Sequence, residues 1–122
     1  MVKHGFGIYI YDDPEGKVKY EGYFEKDKKS GKGKLVLKDG SVYDGQFREN
    51  EYHDNGVMVF ANGSTYDGKW KKGRMDGPGL FKRVDGLSLK GSFKNNYFLD
   101  GNVLRNPFIG EEEYENLKKK RK

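Results

Sequence analysis

With 122 residues and no cysteine, the chain has room for one small domain, which neither disulfides nor thiolate-bound metals can hold together. Only 34% of residues are hydrophobic and 35% are charged, a balance that leans towards disorder, but 15% aromatic residues and 18 glycines against 3 prolines point instead to a regular architecture. Lys118, Lys119, Lys120, Arg121 and Lys122 supply the whole net charge of +5, so residues 1–117 sum to zero and a basic nucleic-acid face on the body is not supported.

In chain order, the first feature is His4-Gly5-Phe6-Gly7, half of a unit, followed by a long turn over residues 11–17. Then a 23-residue period sets in without drift: Tyr20-Glu21-Gly22-Tyr23-Phe24 recurs as Tyr43-Asp44-Gly45-Gln46-Phe47, as Tyr66-Asp67-Gly68-Lys69-Trp70 and as Leu89-Lys90-Gly91-Ser92-Phe93. Three further columns keep the step: Gly40, Gly63 and Gly86; Gly33, Gly56 and Gly79; and Asp27, Asn50, Gly73 and Asn96. Alternation places Tyr43, Gly45 and Phe47 on one strand face and Asp44 and Gln46 on the other. Asp-Gly and Asn-Gly at 39–40, 62–63 and 85–86 predict tight, type I′-like turns, and the Asp27 column predicts the left-handed residue of the opposite turn. Residues 34–37, 57–60 and 80–81 supply second strands, with Leu35, Met58, Phe81 and Leu104 as their apolar column. Glycine between two aromatics on one face leaves a hole that a neighbouring ring can fill. The expectation is an all-β fold, a single-layer antiparallel meander of nine short strands stacked as a solenoid.

These residues resemble the MORN (membrane occupation and recognition nexus) repeat, whose unit reads approximately Tyr-x-Gly-x-Phe/Trp, a turn, Gly-x-Gly, and then Asp-Gly-x-x-Tyr. The resemblance covers about residues 4–105 and implies a solenoid of about four repeats over residues 1–108. Its units are 4–19 (partial), 20–42, 43–65, 66–88 and 89–108. The last is degenerate, with Leu89 for tyrosine, and Asp100 and Asn102 in place of the glycines at 77 and 79. Pro107 ends the strands, and Glu111, Glu112, Glu113 and Glu115 ahead of the basic tail suit the dipole of a short helix within residues 109–122, which either caps the sheet through Ile109, Tyr114 and Leu117 or folds on a partner.

No catalytic residue, metal or cofactor is expected. Ser30, His53 and Asp76 are the residue types of a hydrolase triad, but as one repeat column they stand roughly 10 Å apart, against the ~3 Å a nucleophile and its base need. Gly31-Lys32-Gly33 and Gly77-Pro78-Gly79 lack the Lys-Ser/Thr of a phosphate loop. Tyr20, Phe24, Tyr43, Phe47, Tyr66, Trp70 and Phe93 read as the packing ladder of the sheet; on the premise that a curved single layer cannot cover one of its own faces, Tyr43, Phe47, Tyr66, Trp70 and Phe93 are also expected to line a groove for a partner, with Trp70 its anchor. Tyr52, Met75 and Phe98, a row broken by Lys29, are expected either to pack within the turn or to form a contact strip along one sheet edge. Residues 118–122 are candidate contacts for an acidic partner or lipid.

Similarity to short MORN-only proteins implies a non-enzymatic adaptor that clamps an extended or helical segment of a larger protein, in the cytoplasm, on the cytoskeleton and most specifically at a ciliary or flagellar axoneme. The alternative is a peripheral tether for acidic phospholipids. No stretch approaches the ~20 apolar residues of a membrane span.

Overall fold

The structure is a computed structural model that describes residues 3–12, 14 and 16–120. Ten strands follow one another, neighbour to neighbour, across a single open antiparallel sheet. They are β1 (Gly5–Ile10), β2 (Lys17–Glu25), β3 (Lys28–Leu37), β4 (Val42–Arg48), β5 (Glu51–Val59), β6 (Thr65–Lys71), β7 (Arg74–Lys82), β8 (Ser88–Lys94), β9 (Tyr97–Asp100) and β10 (Val103–Arg105), followed by helix α1 (Glu111–Lys120). This is the meander with a short C-terminal helix that the repeats predict, with ten strands where nine are expected. The extra one comes from the degenerate unit. Where β7 continues through Gly77 and Gly79, the chain turns back at Gly101, and β10 pairs on β9 with Val103 opposite Asp100. Leu104 is thereby turned outwards and half exposed, unlike Leu35, Met58 and Phe81, which are buried.

The two kinds of turn differ from expectation in an instructive way. Lys26-Asp27, Glu49-Asn50, Lys72-Gly73 and Asn95-Asn96 all carry positive φ at both residues, 49 to 51° and then 67 to 80°, which is the two-residue type I′ hairpin. The Asp27 column is left-handed as predicted. At the other turns only Gly40, Gly63 and Gly86 are left-handed (φ 94 to 99°). Each of these glycines donates its N–H to a carbonyl three residues back, and the side chain before it accepts the N–H of Ser41, Ser64 or Leu87. These are wider loops in which Asp or Asn caps a turn, so the type I′ geometry belongs to the opposite end of the unit.

Every strand pairing from β1 to β8 sets glycine against glycine: Gly7 with Gly22, then 22 with 33, 33 with 45, 45 with 56, 56 with 68, 68 with 79 and 79 with 91. Beyond this spine the register slips. Gly45 faces Gly56 but Phe47 faces Tyr52, and the same step occurs at Gly22/Phe24 and Gly68/Trp70. The surplus residues include Gly31, Asp54 and Gly77, all left-handed, and such bulges bend the strand.

Candidate functional site

Glycine and tyrosine together make the unit rigid. A Cβ at Gly33, Gly56 or Gly79 would overlap the ring of Tyr20, Tyr43 or Tyr66 respectively, so each ring lies flat in the hole its neighbour leaves. Its hydroxyl then donates to a carbonyl three residues on: Tyr20 to Tyr23 (2.8 Å), Tyr43 to Gln46 (2.7 Å) and Tyr66 to Lys69 (2.9 Å). Burial pushes the phenols of Tyr20 and Tyr66 up to about 12 and raises that of Tyr43 as well.

Between units the rings meet edge to face in one continuous series. Centroid distances are 5.0 Å for Phe24–Tyr20, 5.2 Å for Tyr20–Phe47, 5.1 Å for Phe47–Tyr43 and 5.4 Å for Tyr43–Trp70. The series continues at 5.2 Å for Trp70–Tyr66, 4.9 Å for Tyr66–Phe93 and 5.2 Å for Phe93–Phe98. Trp70 is further fixed by its indole N–H, which donates to the Gly56 carbonyl at 3.0 Å.

This corrects the expected groove. Tyr43, Phe47, Tyr66, Trp70 and Phe93 are all at most 4% exposed. Tyr52 packs on Tyr43, Phe47 and Trp70, and Phe98 on Phe93, so the sheet covers its own aromatic face and the rings fill the space a partner would need. The row of Tyr52, Met75 and Phe98 is not an exposed edge strip either. Met75 is buried, Phe98 packs on Phe93, and Tyr52 stacks on Tyr43 at 4.1 Å, with burial pushing its phenol up to about 12. Of the two readings, turn packing is the one observed. Lys29 shares the row: it is 5% exposed, its ammonium lies 5.4 and 5.6 Å from the rings of Tyr11 and Tyr20, and burial, with help from Lys17, lowers its pKa.

The same row carries a latch that sequence reasoning missed. Asn50 gives its backbone N–H to the Lys29 carbonyl and accepts the Lys29 N–H on its side chain (2.8 Å), and Asn96 does the same to Met75 (2.9 Å). Asp27 repeats it on Lys3. The residue types in the Asp27 column were the available signal.

What the fold leaves accessible is the opposite face. A trough of about 590 Å³ crosses its middle, floored by the backbone of Gly45 and Gly56, with Val42, Val57 and Val59 among its apolar lining and Lys32, Lys34, Asp44 and Asp67 among its charges. At the N-terminal end Phe6, Ile8, Ile10 and Tyr23 are 50 to 66% exposed. The C-terminal end is closed. Arg105, 5% exposed, pairs with Glu111 at 2.8 Å and lies 4.2 Å over the Tyr114 ring, whose hydroxyl donates to Asp100 at 2.7 Å. Tyr114 is buried there; Leu117 is nearly half exposed. In the basic tail Lys118 pairs with Glu115 at 3.2 Å and covers Tyr114, and Lys119 is exposed. Arg121, Lys122 and the side chain of Lys120 lie outside the described residues.

The triad-like column is not assembled: Ser30 bonds Glu25, and Asp76 accepts the backbone N–H of Asn95. Among the described residues no group of three His, Cys, Asp or Glu stands close enough for a metal, and no helix is long and apolar enough to cross a membrane.

No curated protein matches the chain. The family model of the MORN repeat matches residues 2–13, 20–42, 43–65 and 66–88, stopping before the degenerate unit 89–108. Such repeats are generally non-enzymatic modules for protein or lipid interaction. Period, glycine spine and family model agree, and the chain belongs to the MORN-repeat family.

Proposed function

We propose that the chain is a non-enzymatic adaptor that holds an extended or helical segment of a larger protein in a cytoskeletal assembly. The observation that carries this reading is the outer trough. It offers exposed valines over bare glycine backbone between charges of both signs, on a sheet whose other face is filled by its own rings. An apolar floor with a charged rim suits a peptide segment better than a bilayer surface, and the trough, not the aromatic series, is where that segment lies. The ciliary or flagellar axoneme follows from resemblance to short MORN-only proteins and belongs to the same proposal, as does a cytoplasmic location.

The test is cross-linking mass spectrometry of the tagged protein in salt-washed, detergent-extracted cytoskeletons from ciliated cells. Salt-resistant retention, with cross-links from Lys32 and Lys34 to one large protein, supports the adaptor. Release by salt and recovery on vesicles of acidic phospholipid, abolished by removing residues 118–122, would overturn it in favour of the lipid tether.

A further inference from the structure

The strand β1 is an unfinished interface. Matching Gly5, Gly7 and Tyr9 to Gly31, Gly33 and Leu35 makes β1 the counterpart of β3, which pairs on one side with β4 and on the other with β2. On one side β1 pairs with β2; among the described residues no strand pairs with its other edge. In β3, β5 and β7 the corresponding edge receives a Tyr-x-Gly strand whose ring fills the hole over Gly33, Gly56 or Gly79. Over Gly7 no tyrosine sits. A Cβ there would meet nothing closer than Phe24 at 3.8 Å.

The outer side of β1 points the same way. Exposed edge strands are ordinarily guarded by charge or proline. Here Phe6, Ile8 and Ile10 are 61, 59 and 66% exposed, while the matching positions of β3 are Lys32, Lys34 and Val36. The edge strand is thus more apolar than the interior strand it resembles.

We propose that the free edge of β1 accepts a strand of the pattern Tyr-x-Gly-x-aromatic from a polypeptide segment outside these 122 residues, its tyrosine seated over Gly7 and its glycine opposite Gly7. The added strand continues, by one step, the interface β2 makes with β3, β4 with β5 and β6 with β7. A second copy of this chain does not meet the requirement. Its own strands β2, β4 and β6 are paired on both sides, its β1 carries a tyrosine after Gly7 and not two residues before a glycine, and α1 packs at its other end. The inference concerns an edge, not the trough, and stands apart from the adaptor reading.

The experiment is titration of the isotope-labelled full chain with a decapeptide of the sequence of residues 40–49, which contains the β4 pattern, followed by amide NMR and hydrogen exchange. The expected result is saturable shifts and slowed exchange concentrated at residues 5–10. Replacing the peptide's tyrosine by alanine weakens binding about tenfold or more, as loss of a seated ring should. Gly7→Val and the milder Gly7→Ala keep the fold and its melting temperature, because a Cβ there meets only the Phe24 ring, at an ordinary contact distance of 3.8 Å, yet weaken binding by at least as much. Shifts centred elsewhere, no saturation at millimolar peptide, or equal binding by Gly7→Val would overturn the proposal. So would concentration-dependent self-association that Gly7→Val abolishes, since it would assign the edge to a second copy.

Discussion

Replacing Gly56 by alanine tests the central packing rule. The new Cβ would overlap the ring and hydroxyl of Tyr43, and the ring has nowhere to go: Tyr52 stacks on it at 4.1 Å, and the edges of Phe47 and Trp70 stand at 5.1 and 5.4 Å. Overpacking of this kind costs about 1–3 kcal/mol. If the ring is displaced, its bond to the Gln46 carbonyl goes with it, a further ~1 kcal/mol. The expected loss is therefore about 2–4 kcal/mol, a large part of the ~5–15 kcal/mol typical of a domain. Urea unfolding followed by the fluorescence of Trp70, the single tryptophan, measures it. Gly7→Ala is the internal control. Its Cβ meets Phe24 only at 3.8 Å, and stability should stay level or rise by a few tenths of a kcal/mol. In a Tyr43→Leu background the cost of Gly56→Ala should fall below ~1 kcal/mol, because the clash has been removed. A Gly56→Ala protein within ~1 kcal/mol of the parent, or strictly additive effects in the double variant, would refute the reasoning.

Gly73 makes only half of the latch, since its N–H bonds Tyr52 but it has no side chain to accept in return, so Gly73→Asn, at φ 80° like Asn50 and Asn96, should add about 1 kcal/mol and raise the melting temperature by a few degrees. Arg105→Ala should cost about 2 kcal/mol and make the amides of α1 exchange freely, whereas Glu111→Ala, whose carboxylate is mostly exposed, should cost under ~1 kcal/mol. At high pH the phenols of Tyr20, Tyr52 and Tyr66 keep protons up to about 12 that the unfolded chain releases near 10. Their contribution is complete below pH 10 and is lost as pH rises towards 12, and alkaline unfolding should fall in that window by circular dichroism. The lowered pKa of Lys29 has the opposite sign. The folded state gives up that proton before the unfolded chain does, so stability should gain slightly as pH approaches 10.5, and Lys29→Met should remove the gain.

Much of this was legible because a repeat states each local rule several times. The strand faces, the left-handed Asp27 column and the glycine holes all follow from alternation and residue type at fixed positions. The turn assignment failed because Asp-Gly marks either a type I′ hairpin or a wider capped loop, and only the φ of the residue before the glycine tells them apart. The groove failed for a different reason. Alternation places Tyr43 and Phe47 on one face but says nothing of curvature, and curvature arises at Gly31, Asp54 and Gly77, residues that look like ordinary strand members until the register slips. Lys29 reads as a break in an apolar row because sequence shows its charge and not the tyrosine rings over which its ammonium lies.

A repeat array has two ends, and the ends must differ from the middle because each interior strand relies on neighbours on both sides. At the C-terminus the chain meets this need by departing from the repeat. Asn102 stands where the glycine of the spine would recur, β10 folds back on β9, Phe108 packs on Phe60 and Phe81 at 4.9 and 5.0 Å, and Arg105 clamps Tyr114 of the helix. At the N-terminus nothing comparable occurs among the described residues. Gly7 keeps the spine, and Phe6 and Ile8 stand where β3 carries Lys32 and Lys34. An end built to stop should show the first pattern, and an end built to be continued should show the second. The two edges of this sheet are therefore built differently, and the N-terminal one keeps Gly7 without the tyrosine ring that covers Gly33, Gly56 and Gly79.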